Sequence, residues 1–340
     1  MISSRIGRFC TPFSRGLRAG AAATAALVIL ASGTPAAATG SFVTFNVPGA
    51  IHTVSLGINA GGSVTGYFVD GSGMQGFVRA ADGTISTIDA EGLNSTWSWR
   101  INRKGAVTGY YLHSGSGRGF LRGREGRLVR FNFAGAHGTE SNAINDAGVT
   151  TGYYFEKDRV FHGFVRASDG TMTSFDPPGS LATAPIAING RGDIAGWYIA
   201  AGGTQPGFVR SANGSIVTFV VGNQYTTVSA VNDKGAVVGN DGSGGRMSAF
   251  LREPDGTIES IGRKGFLNSA AYAINSAGAI AGYCQIGQNN HGFVRSPDGR
   301  IVIFDPPGGS QTLAYGISDN GTITGTYWNG SGYRGFIRTP

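Results

Sequence analysis

The chain has 340 residues, a net charge of +7, and only 14% charged against 41% hydrophobic residues. That balance excludes a disordered chain and a coiled coil, because there is enough apolar material for a core and little charge. Glycine, at 58 residues without a collagen period, excludes a mainly helical protein, since each glycine inside a helix costs about 0.5–1 kcal/mol.

Arg5, Arg8, Arg15 and Arg18 precede an apolar run from Ala21 to Ala31, and Ala36-Ala37-Ala38 offers small residues for cleavage. This n/h/c pattern predicts that residues 1–38 are a Sec-type signal peptide, cleaved on export. Residues 39–340 are then expected to form a single domain, periplasmic or secreted, with no stable membrane insertion. Cleavage lowers the charge from +7 to +3 and leaves Cys284 as the one cysteine, expected to be buried. With no basic run left, nucleic acid is a poor partner.

The mature chain repeats itself. Phe77, Phe120, Phe164, Phe208, Phe250, Phe293 and Phe336 recur every 42 to 44 residues, each in a Gly/Ala-Phe-x-Arg string. Asn59, Asn102, Asn145, Asn189, Asn232 and Asn275 form a second ladder in step, with Ser318 in seventh place. Each unit reads as four short strands. An inner strand ends at the Asn. A tight turn leads to a second strand such as Val149–Tyr154. A variable loop leads to the Phe-bearing third strand, and an Asp-Gly turn to a fourth, such as Ile301–Phe304. The last unit lacks a fourth strand, and Ser41–Phe45 resembles the missing piece. The expected fold is all-β: a seven-bladed β-propeller of four-stranded antiparallel blades, closed by the N-terminal strand joining the last blade.

The Ala-Phe/Gly-Phe-x-Arg strings and the Ala-Ile-Asn-x-x-Gly pattern resemble the HAF-type extracellular repeat family over residues 41–338. His162-Gly-Phe164, His291-Gly-Phe293 and Ala249-Phe250 carry the likeness in its His-Ala-Phe position. The resemblance implies export and a propeller-like fold and assigns no chemistry.

Strand alternation places the connections between strands four and one, and two and three, on one face. These are expected to be long and variable, and the tight turns to fill the other face. Features present in every unit read as scaffold. The seven arginines are expected to be structural, pairing with blade acids, and each ladder Asn to bond its own turn. Asp-Pro-Pro-Gly at 176–179 and 305–308 reads as turn chemistry. Departures from the repeat are the candidates. Trp97, Trp99, Glu140, Tyr111, Tyr198 and Trp328 are candidate ligand-binding residues, and Arg100 and His52 break the pattern beside them. Aromatic pairs end most second strands. The first of each pair is expected to pack between blades and the second to turn the other way, where it could stack on a sugar.

The leading functional expectation is a binding or scaffold module for glycan or protein on the loop face, acting as a monomer. The alternative is a carbohydrate-active enzyme. A polysaccharide lyase would draw a base and a carboxylate-neutralising cation from His137, Tyr153, Tyr154, Arg159 and His162. A glycosidase, the weaker branch, would need paired acids such as Glu140, Glu156 and Asp158. A metal-dependent lactonase is a third reading. No metal or cofactor motif is present, so neither a metal nor a cofactor is expected.

Overall fold

The computed structural model describes residues 40–92, 95–242 and 245–340. The predicted signal peptide lies outside the described residues. Among those residues, 28 strands form seven four-stranded antiparallel sheets, each in chain order. Blade 3 is typical, with strands Gly138–Ile144, Thr150–Phe155, Phe161–Arg166 and Met172–Phe175. Blade 7 is shared between the chain ends. Phe42–Phe45 pairs antiparallel with Tyr333–Arg338, Phe42 opposite Arg338 and Phe45 opposite Gly335. The inner strands touch their neighbours around the whole ring, the last against the first. The predicted seven-bladed propeller and its closure are both present.

The Phe ladder is the core between blades. All seven rings are at most 1% exposed. Five of them meet an outer-strand Phe of the preceding blade edge to face, for example Phe164 with Phe131 at 6.2 Å and 78°. The arginine two residues on then lies over that same outer Phe, as Arg166 does over Phe131 at 4.9 Å. Arg79, Arg210, Arg252 and Arg338 repeat the contact. The expectation of acid partners is therefore corrected. An acid enters at one place where the outer Phe is replaced: Ile261 stands there in blade 5, and Arg295 Nη2 donates to both carboxylate oxygens of Glu259 at 2.8 Å. Arg122, opposite Ile88, has neither ring nor acid and donates to Ser86 Oγ at 3.4 Å.

Every inner strand carries a β-bulge about three residues before the ladder position. The bulge pushes a carbonyl towards the second strand, which answers with a glycine in all seven blades. A Cβ on Gly152 would lie 1.9 Å from the Glu140 carbonyl oxygen, closer than any side chain allows. This explains the glycine repeated in the second strands.

The connections between strands two and three are less uniform than expected. Three are two-residue hairpins: Gly71-Ser72, Ser114-Gly115 and Gly287-Gln288. Ser114 and Gly115 both take positive φ, 48° and 78°, as a tight hairpin with right-handed strand twist requires. Cys284 is buried as expected, and burial pushes its thiol up to about 12.

Candidate functional site

The inner strands enclose a channel with two cavities. Ile58, Ile101, Ile144, Ile188, Val231, Ile274 and Ile317, one from each blade, line both cavities as an apolar collar. Towards the tight turns lies a cup of about 240 Å³, lined by the Asn ladder and the residues after it. On the other side of the collar, towards the loop face, lies a cavity of about 150 Å³.

The cup is bonded to itself. Each ladder Oδ1 accepts a backbone N–H within its own turn, as expected; Val149 N donates to Asn145 at 3.0 Å. The amide nitrogen does something the sequence did not disclose: it donates to the ladder carbonyl of the next blade. Asn59 bonds Asn102, then Asn145, Asn189, Asn232, Asn275 and Ser318 follow in order, at 3.0–3.2 Å. Asp146, Asp233 and Asp319 add a second belt by accepting backbone N–H groups of the preceding blade. Arg103 spans Asp146 at 3.5 Å and Asp319 at 3.0 Å. These groups already serve ring closure.

The loop end of the channel differs from blade to blade. Two residues before the ladder, six blades carry Gly57, Ala143, Ala187, Ala230, Ala273 and Gly316, whereas blade 2 carries Arg100. One residue earlier stand Leu56, Trp99, Asn142, Ile186, Ser229, Tyr272 and Tyr315. Arg100 Nη1 donates to the carbonyls of Leu56 at 3.4 Å and Trp99 at 3.2 Å, which holds the guanidinium beside the inner cavity. Tyr272 packs on Tyr315 at 4.7 Å and on Tyr283 at 5.8 Å. Burial, then the neighbouring Tyr272, Tyr67 and Tyr283 hydroxyls, hold the Tyr315 hydroxyl well above the usual range. Trp97 and Trp99 pack against Val54, Leu56 and Tyr67, and Trp97 stacks on Tyr110 at 4.8 Å.

Glu140 occupies the Trp97 position of the next blade. Its Oε2 accepts a 2.5 Å bond from Tyr153 Oη, directly across the strand pair. Its Cγ packs so close to Gly117 of blade 2 that a Cβ there would be 3.0 Å away. Burial pushes the carboxyl from 4.5 up to about 7, against the smaller lowering effect of the Tyr153 bond.

The structure thus brings together Trp97, Trp99 and Arg100 with Tyr272 and Tyr315, and sets Glu140 with Tyr153 in the next blade. Other expected residues lie elsewhere. Tyr111, Tyr154 and Tyr198 are less than a tenth exposed. Tyr154, for instance, stacks flat under Phe133 at 3.9 Å. The expected orientation of the aromatic pairs holds only in part: first members Tyr67, Trp197 and Tyr327 are buried and Trp328 keeps some exposure, but second members Phe68, Tyr111, Tyr154 and Tyr198 are buried while Tyr110, Tyr153 and Tyr283 are half-buried. Trp328 forms a separate half-buried cluster with Tyr333 and His52, 5.2 and 6.4 Å away. Glu156 and Arg159 are exposed in the 156–160 loop, Arg159 at φ 61°.

His137 is exposed, with Nε2 2.8 Å from Ser116 Oγ and its carbonyl accepting from Arg118 Nη1 at 2.7 Å. His162 Nδ1 is 2.7 Å from Asp176 Oδ2, and the other Asp176 oxygen accepts from Thr183. His291, Asp305 and Thr312 repeat this set in blade 6. The blades compensate internally. Where the loop begins with Asp176 or Asp305, the third strand supplies His162 or His291. Where it begins with Asn132 or Asn46, the third strand supplies Arg118 or Arg334, which bonds a loop carbonyl. That pattern makes His162 a brace for its loop. Tyr272 and Tyr315 were the residues missed by the sequence reading. Aligning the seven inner strands column by column would have exposed them, as it does Arg100.

No protein-family model matches the chain, and no curated protein matches it, so the HAF resemblance rests on its motifs. Solved structures do match. A virginiamycin B lyase from Staphylococcus aureus, in an inactive form with quinupristin, is 13% identical with a TM-score of 0.61, over 88% of this chain and 99% of that one. A streptogramin B lyase is 11% identical with a TM-score of 0.60, over 88% and 97%. A puromycin-hydrolysing peptidase from Mycobacterium tuberculosis is 13% identical with a TM-score of 0.59, over 83% of this chain and 50% of that one. At such identities the likeness is one of fold.

Proposed function

We propose that this propeller is an exported binding module that holds a glycan at the loop-face end of its channel. The observation that supports it is the gathering of Trp97, Trp99, Tyr272 and Tyr315 around Arg100, whose own position carries Gly or Ala in the other six blades. Aromatic faces take the apolar face of a sugar ring, and the polar groups between them fix its hydroxyls. The test is calorimetric titration of the 39–340 chain with neutral and acidic oligosaccharides. Trp99→Ala with Tyr315→Ala should weaken binding at least tenfold, and Trp328→Ala should not. Equal binding by all three proteins would reject this location.

A polysaccharide lyase is the second reading, favoured by one observation: a carboxyl near neutral pKa bonded to a tyrosine hydroxyl, Glu140 with Tyr153. Such a pair suits abstraction and return of a proton. Unsaturated-uronate absorbance would appear with wild type and vanish in Tyr153→Phe. Binding without absorbance would leave the module reading standing alone.

A further inference from the structure

Arg100 carries an inference about which glycan is held, and it rests on the glycan-binding reading above. Six of the seven equivalent positions are Gly or Ala, so the ring closes without a long side chain there. Blade 2 alone sends a guanidinium to the channel. Bonds to the Leu56 and Trp99 carbonyls hold it in one place. The inner cavity that it lines also has Leu56, Ser229, Tyr272 and Tyr315 in its wall, and no Asp or Glu. A fixed planar cation in a wall that shares two tyrosines and has no acids favours a monoanion that can accept two parallel N–H bonds. A carboxylate has that geometry, and in a partly dehydrated channel the charge-assisted bonds are stronger than in water. The flanking aromatic rings supply the face for the sugar that bears it.

We propose that Arg100 makes the channel site selective for carboxylated sugars, the guanidinium holding a uronate carboxylate while Tyr272 and Tyr315 contact the ring. The discriminating probes are galacturonate and mannuronate oligomers compared with their methyl esters, which keep the ring and lose the charge. The acids are expected to bind the wild-type 39–340 chain at least tenfold more tightly than the esters. Arg100→Gln should abolish that preference, the acid-to-ester affinity ratio falling to about one, and Arg100→Lys should retain part of it. A measurement on the wild type alone guards against misfolding of the variants: raising salt from about 50 to 500 mM should weaken acid binding several-fold and leave ester binding unchanged. Equal binding of acid and ester, or a preference that survives Arg100→Gln, would overturn the selectivity and spare the glycan reading. If neither form binds, the selectivity and the glycan reading both fall.

Discussion

The two ends of the channel are made by the same seven strands and have opposite characters. At the tight-turn end the side chains repeat around the ring. Asn follows Asn, and each amide is consumed by the next blade's carbonyl. Two or three residues earlier on the same strands the repeat dissolves into Arg100, Trp99, Asn142, Tyr272 and Tyr315. The difference teaches how to read a repeat protein. Uniform positions close the ring, and a ligand site needs a preferred direction that only unlike blades provide.

The comparison can be broken or sharpened by substitution. The largest effect should ignore it. Phe164→Ala empties a fully buried site between blades and should cost about 3–5 kcal/mol in urea unfolding, weakening both ends together. If only one end suffered, the blades would not be the cooperative unit assumed here.

Glu140→Gln addresses the loop end. The folded carboxyl titrates near 7 and the unfolded one near 4.5, so the folded state binds the proton more tightly. Stability is therefore full below about pH 4.5 and is lost as pH rises through 7, by about 3 kcal/mol at most. The Gln variant should lack that slope and be more stable than wild type at pH 8. Urea midpoints between pH 4 and 8 check this, and parallel curves would refute a buried, raised carboxyl.

Asn189→Ala addresses the tight-turn end. It removes a buried amide and leaves the Asn232 carbonyl without that donor, so a loss of about 1–3 kcal/mol is expected, with ligand binding unaffected. The smallest effect should come from Ser318→Asn. Ser318 Oγ turns inward to the Thr322 carbonyl at 3.0 Å, so the belt lacks its seventh amide. Supplying one should raise stability by about 1 kcal/mol, seen as a higher melting midpoint. A loss would mean that the break in the belt is required for closure.

Much of this protein is legible from spacing alone. The Phe and Asn ladders, the Asp-Gly turns and the split last unit dictate seven four-stranded blades and their closure, because strand pairing and turn chemistry are local and recur every 42 to 44 residues. The sequence also marks Trp97, Trp99, Arg100 and Glu140 as departures. It could not show that Tyr154 and Tyr198 turn beneath the loops, since both faces of a blade are buried and alternation distinguishes two faces without naming the solvent. Nor could it show that the arginine ladder stacks on Phe rings one blade away, or that each ladder amide crosses to the next blade. Those contacts join residues of neighbouring blades, about 34 positions apart for the arginines and about 43 for the amides, and their direction is set by how blades twist against each other. The fold follows from local periodicity. The proposed site draws on blades 6, 7, 1 and 2, which only the closed ring brings around one axis.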